Sequence, residues 1–200
     1  VEEGGVGSQA SGLAGAAAVA ALESAKVQKE MASAIWAMAQ DNPDNQVAIA
    51  SAGGIPPLIA LLEGHPEVHR DVAGALWSLA ANTQNQTTIA DHGGIAPLVE
   101  LLRQGVALGA QEAAAGALFA LAETPENRVS IATAGGIPLL MALFDGGSLE
   151  AIEQAAGALH SLVVQNAPNQ LAVVNEAVAM LRNGSAEAQE HVTALLRNLA

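Results

Sequence analysis

Apolar residues in this chain recur at helical spacing and stop at glycine, as the stretch around residue 95 shows. Ile95, Leu98, Val99, Leu101 and Leu102 share one face of a 3.6-residue helix, and Pro97 sits in its first turn, where a missing N–H costs nothing. Before it, Gln86 to Asp91 reads as a short helix ended by Gly93-Gly94, a pair able to take positive φ as a C-cap. After a glycine-containing turn at Gly105 to Gly109, Ala110 to Glu123 keeps the same period in alanine and leucine and predicts the longest helix of the three.

This short, medium and long set returns along the chain. Asn-Gln or Asn-Arg begins at Asn45, Asn85, Asn127 and Asn169, at spacings of 40, 42 and 42 residues. Gly-Gly-Ile begins at Gly53, Gly93 and Gly135, each time followed by proline within an apolar run: Ile55 to Leu62, Ile95 to Leu102, Ile137 to Phe144. Gly-Ala-Leu-x-x-Leu begins at Gly74, Gly116 and Gly157, with degenerate copies at Ser33 to Met38 and Leu195 to Leu199. A period of this size marks a repeat architecture. It predicts one domain, 13–200, made of units at about 13–43, 44–83, 84–125, 126–167 and 168–200. The first unit lacks its first helix and follows an arm, 1–12, expected to be disordered. The last lacks Gly-Gly-Ile and is five residues shorter between Asn169 and Ser185 than the fourth is between Asn127 and Ser148, so its first two helices are expected to fuse. Atypical end units are what a stack of repeats requires.

Three helices in about 42 residues, with Gly-Gly between the first two, resemble the armadillo repeat over about residues 12–200. The resemblance implies an all-α, right-handed superhelical solenoid whose third helices line a concave groove. It also implies a scaffold that binds a protein or peptide segment and no enzyme. On a helical wheel of the third helices, Leu76 and Leu79 mark the core, and Arg70, Gly74, Trp77, Ser78 and Ala81 fall opposite. The same positions hold Lys29, Ser33, Trp36, Ala37 and Gln40 in the first unit. They hold Glu112, Gly116, Phe119, Ala120 and Glu123 in the third, and Glu153, Gly157, His160, Ser161 and Val164 in the fourth. Arg197 and Asn198 are the clear equivalents in the last. The expected groove is therefore Trp36, Trp77, Ser78, Phe119, His160, Ser161, Arg197 and Asn198. Aromatic side chains gathered on an outward face mark a binding surface for a partner with apolar anchors. The competing expectation is that the rings lie flat over Ser33, Gly74 and Gly116 or bridge neighbouring third helices as packing.

Peptide-binding relatives such as importin-α and β-catenin carry an asparagine ladder that holds the peptide backbone. Here that position reads Ala37, Ser78, Ala120, Ser161 and Asn198, and the place of importin-α's tryptophans reads Ser33, Gly74, Gly116 and Gly157. Each lost clamp removes about 0.5–1.5 kcal/mol. The departure argues against nuclear-signal recognition of the importin type and for an amphipathic helix or an apolar loop. A second reading is a structural or self-association module whose groove is covered by another copy or by arm 1–12.

Composition adds exclusions. With 51% hydrophobic residues but 2% aromatic, the core is built from small aliphatic side chains on closely approaching helices. A formal net charge of −13 repels phosphate backbones and anionic membranes, so neither nucleic acid nor membrane is expected as a partner. The absence of cysteine removes disulfides, thiolate chemistry and Cys-based zinc sites, and is compatible with a cytoplasmic or nuclear location. The apolar run Leu13 to Leu22 is too short to span a membrane and follows Glu2 and Glu3 where a signal peptide carries positive charge. His65 and His69 are separated by Pro66, which predicts a surface turn and no metal pair. Asp71, Glu112 and Glu153 recur near third-helix starts and are expected to complement the helix dipole. No nucleophile–base arrangement can be assembled around His160, and no phosphate-binding loop follows a strand, so no catalytic residue, cofactor or metal is expected.

Overall fold

The computed structural model describes residues 24–103 and 105–199, and the expected arm, 1–12, lies outside them. The described residues form helices and turns only. Helix α1 covers residues 24–39. Three complete units follow: α2 (Pro43–Ser51), α3 (Ile55–Leu61) and α4 (His69–Ala80); α5 (Thr83–Asp91), α6 (Ile95–Glu100) and α7 (Leu108–Leu121); α8 (Pro125–Thr133), α9 (Gly136–Ala142) and α10 (Leu149–Val163). The chain then makes α11 (Ala167–Asn183) and α12 (Ala186–Leu199). Helix α11 is continuous across the place where Gly-Gly-Ile interrupts the other units, as its missing breaker predicts. No helix among the described residues is long and apolar enough to cross a membrane.

Local chemistry sets the helix ends. Helix α5 starts three residues before the apolar pattern indicates, because the Asn82 side chain accepts from the amides of Gln84 and Asn85 at 3.0 and 3.2 Å and caps the first turn. Its end is fixed by Gly93, at φ 78°, a backbone state that costs glycine nothing. The second glycine of the pair is needed for space: a Cβ on Gly94 would lie 2.7 Å from Cγ2 of Ile89.

Third helices α4, α7 and α10 stack side by side and carry the core. Leu76, Leu79, Leu118, Leu121, Leu159 and Leu162 are fully buried. Helix α7 is buried on nearly every side by Ala110, Ala113, Ala114, Ala115 and Ala117, small enough to admit helices from both neighbours. Helix α1 departs from this rule. Val27, Met31 and Met38 are 54%, 60% and 50% exposed, whereas their counterparts Val68, Val72 and Leu79 are buried. In the second unit α2 and α3 lie over that face; no described element lies over it in α1.

The recurrent asparagine joins the units. Asn85 Nδ2 donates to Leu79 O at the end of α4 (3.0 Å) and to Gln46 O of the preceding unit (3.1 Å). Asn127 repeats this with Leu121 O and Gln86 O, and Asn169 with Leu162 O and Arg128 O. The next residue takes the following carbonyl: Gln46 donates to Ala39 O, Gln86 to Ala80 O, Arg128 to Ala122 O and Gln170 to Val163 O. Each third helix thus has two of its orphan C-terminal carbonyls satisfied by the next unit.

Leaving a buried polar group without its partner costs about 1–3 kcal/mol. Asn85→Ala is expected to lower the free energy of urea unfolding by about 2 kcal/mol, and Asn45→Ala, whose amide meets only Met38 O, by about half that. Equal losses at the two sites would show that the link to the preceding unit contributes nothing.

Candidate binding groove

The aromatic row exists, and its rings are half-buried. Each lies against the third helix of the next unit, over a glycine. A Cβ on Gly74 would come within 2.5 Å of the Trp36 ring, one on Gly116 within 2.5 Å of Trp77, and one on Gly157 within 3.0 Å of Phe119. The helical wheel placed Gly74 and Gly116 outward; they are buried, because the preceding unit's ring covers them. The bridging arrangement is therefore the one the rings adopt, with part of each ring left accessible. His160 is exposed and breaks the series, since a small imidazole stands where the other units have a large ring. Ser78 and Ser161 are half-exposed, and Arg197 and Asn198 are exposed on α12.

Between the first two rings lies a hollow of about 260 Å³, lined by Trp36, Gln40, Asp41, Trp77 and Ser78 among others. The Arg70 guanidinium stands 5.9 Å over the Trp36 ring, within cation–π range. Its stem runs along α7, where a Cβ on Gly109 would meet Arg70 Cδ at 3.0 Å. Arg70 therefore touches three successive units.

Glu112 and Glu153 are each the fifth residue of their helix, beyond the first turn in which the dipole acts. Asp71 alone of the three stands in a first turn, buried, with Oδ2 lacking any partner.

A larger hollow of about 570 Å³ lies between the second helices of units two and three, lined by Leu62, Pro66, His69, Pro97, Leu101 and Val106. None of the row residues reaches it. His65 precedes the 3₁₀ turn Pro66–Val68 and His69 starts α4, so the two imidazoles are carried by different elements. No group of three His, Asp or Glu side chains converges on a metal-sized space among the described residues. The Nε2 of His69 is inaccessible and has no partner. Burial holds its pKa below the usual 6.5, opposed by the nearby backbone of Gly64 and Leu62.

Two outcomes follow from this packing. Gly116→Ala is expected to destabilise the chain by about 1–3 kcal/mol through overpacking against Trp77, although alanine is the better helix former. In a Trp77→Ala background the same change is expected to stabilise by about 1 kcal/mol, and a urea-unfolding cycle that gives the same sign in both would contradict the interlock. The depressed His69 pKa means that the unfolded chain takes up a proton first as pH falls below about 6.5, so the folded state loses stability there. Thermal melts of His69→Gln should therefore fall less between neutral and mildly acid pH than those of the parent; an identical decline would exclude the imidazole as the cause.

Comparison with known proteins sets this geometry in a family. The family model described as Armadillo/beta-catenin-like repeat matches residues 42–81, 82–122 and 124–164. No curated protein matches the chain. Among solved structures, an engineered protein from a structural genomics consortium is 29% identical, with 88% of this chain and 74% of that chain covered and a TM-score of 0.74. A second engineered protein is 30% identical over 86% of this chain and 44% of its own, with a TM-score of 0.73. A structure described as computationally designed armadillo repeat proteins for modular peptide recognition shares the fold at 23% identity, 84% and 73% coverage and a TM-score of 0.71. Matched by three repeats over more than half its length, the chain belongs to the Armadillo/beta-catenin-like repeat family.

Proposed function

We propose that the chain is a protein-binding scaffold that holds a segment of another protein along the face of its third helices. The observation that carries this reading is the hollow between Trp36 and Trp77, with Ser78 at its wall, on a face where the first three units repeat the same half-buried ring. Trp36, Trp77, Phe119, His160 and Arg197 form one edge of the contact, and Ser78, Ser161 and Asn198 supply hydroxyl and amide groups beside it. Because the rings are partly spent on Gly74, Gly116 and Gly157, a partner's apolar side chains would meet ring edges and the intervening hollow more than flat exposed faces. Peptide recognition in the designed armadillo proteins supports the choice of ligand class. A chain with no cysteine suits the reducing interior of a cell, where we place it.

A second reading, self-association through the same face, draws on the apolar character of the row. Light-scattering mass over a concentration range separates the two. A constant monomer mass favours an external partner, and a mass that doubles with concentration and reverts on Ser78→Arg favours self-association.

The direct test is selection of a library of short random peptides on the immobilised chain. Peptides are expected whose binding falls at least roughly tenfold in Ser78→Arg and Ser161→Arg, with circular dichroism unchanged, and holds in Glu63→Arg, which lies off the face. Peptides insensitive to both serine substitutions, or the failure of any to be selected, would reject the proposal.

A further inference from the structure

Seven residues before each member of the aromatic row, two helical turns away and on the same face, the five units carry Lys29, Arg70, Glu112, Glu153 and Glu190. Four of these are exposed and Glu112 is half-exposed. The sign changes once, between the second unit and the third. Neighbouring charges deepen the acidic half: Glu123 just past the end of α7, Glu150 in the first turn of α10 and Glu187 in that of α12, with Arg197 and Arg128, whose guanidinium donates to Glu123 O and Val164 O, the opposing cations. At the basic half the opposing charges are Glu67 and Asp41, while Lys26 is taken up by Glu30 at 4.0 Å.

Ion pairs within 4.0 Å among the described residues are Lys26–Glu30 and Glu100–Arg103, so none of the five row charges is neutralised by a partner there. Arg70 is moreover held in place, over Trp36 on one side and against Gly109 on the other. A side chain fixed before binding loses less entropy when it meets a ligand group. The chain has seven cations in all, against twenty acids, and two of the seven stand on this row.

Resting on the reading of this face as the binding surface, we infer that the groove is charge-polar along the solenoid. Its partner segment carries carboxylates at the end lying over units one and two, and ammonium or guanidinium groups at the end lying over units three to five. A uniformly basic segment would set its own cations against Lys29 and Arg70, and juxtaposed like charges at an interface are what excludes wrong partners. Packed helices lie about 8–10 Å apart and an extended chain advances about 3.3 Å per residue. An extended partner therefore carries its acidic and basic groups about seven residues apart.

Fluorescence anisotropy at low salt with labelled peptides of about a dozen residues tests this. All share one apolar middle. One has Glu pairs at both ends, one has Lys pairs at both ends, and two are bipolar with opposite chain directions. One bipolar peptide is expected to bind roughly tenfold more tightly than the all-Lys peptide. Arg70→Glu is expected to weaken that bipolar peptide and strengthen the all-Lys one, and Glu153→Lys to weaken both; the two variants guard against a fault peculiar to either. An all-Lys peptide that binds the parent as tightly as the bipolar ones, an Arg70→Glu variant that moves both peptides alike, or no binding by any of the four would overturn the inference. If binding shows no polarity but is lost in Ser78→Arg, the groove reading stands without it. Binding indifferent to Ser78→Arg fails the groove reading itself.

Discussion

A helix that ends inside a stack leaves carbonyl oxygens facing protein instead of water, and those at the ends of the third helices constrain everything else here. Asn85, Asn127 and Asn169 reach back to Leu79 O, Leu121 O and Leu162 O, and their second N–H reaches the preceding unit. The neighbouring Gln or Arg takes the next carbonyl. A buried amide group leaves little freedom in distance or direction. The dyad therefore fixes where the first helix of each unit starts relative to the third helix before it, and so fixes the phase of the repeat. Arg128 extends the scheme, donating also to Glu123 O and to Val164 O at the end of α10 in its own unit, and ties the end of α7 to the end of α10 from a single side chain.

The second joint is apolar and joins the same helices through their rings and glycines. An indole over a bare glycine needs both partners: the ring supplies area, and the missing Cβ lets the helices close. Under the proposed function one position serves two demands, packing between units and presentation to a partner, and the partial burial of Trp36, Trp77 and Phe119 is the compromise. The row carrying Lys29, Arg70, Glu112, Glu153 and Glu190 lies two turns from the ring on its own helix, and among its members Arg70 also leans on the joint, over the Trp36 ring of the preceding unit.

Much of the architecture was legible because its causes are local. Pro97 and Gly93-Gly94 punctuate by backbone geometry alone, and the fused α11 follows from the loss of one triplet. The start of α5 was missed because Asn82 acts through a hydrogen bond that hydropathy does not register; an asparagine just before the first helical residue was the available signal. The face of Gly74 and Gly116 was misjudged for a different reason. A wheel drawn on one helix knows its own core direction but not what the adjacent unit lays across its far side. The recurrence of Asn85 was visible in the sequence, yet its role lies in carbonyls six and thirty-nine residues away, which only the fold brings together.

The central claim is that the third-helix face is the surface a partner uses. Both tryptophans of the chain stand on it, so their two indole N–H resonances report on it directly. Titrating a selected peptide into isotope-labelled chain and following those signals by NMR is the most direct test. Saturable shifts of both indoles, with amides around Pro97 and His69 undisturbed, are the predicted result. Shifts gathered around Pro97, His69 and Leu101, with both indoles unmoved, would place binding in the larger hollow between the second helices and contradict the account.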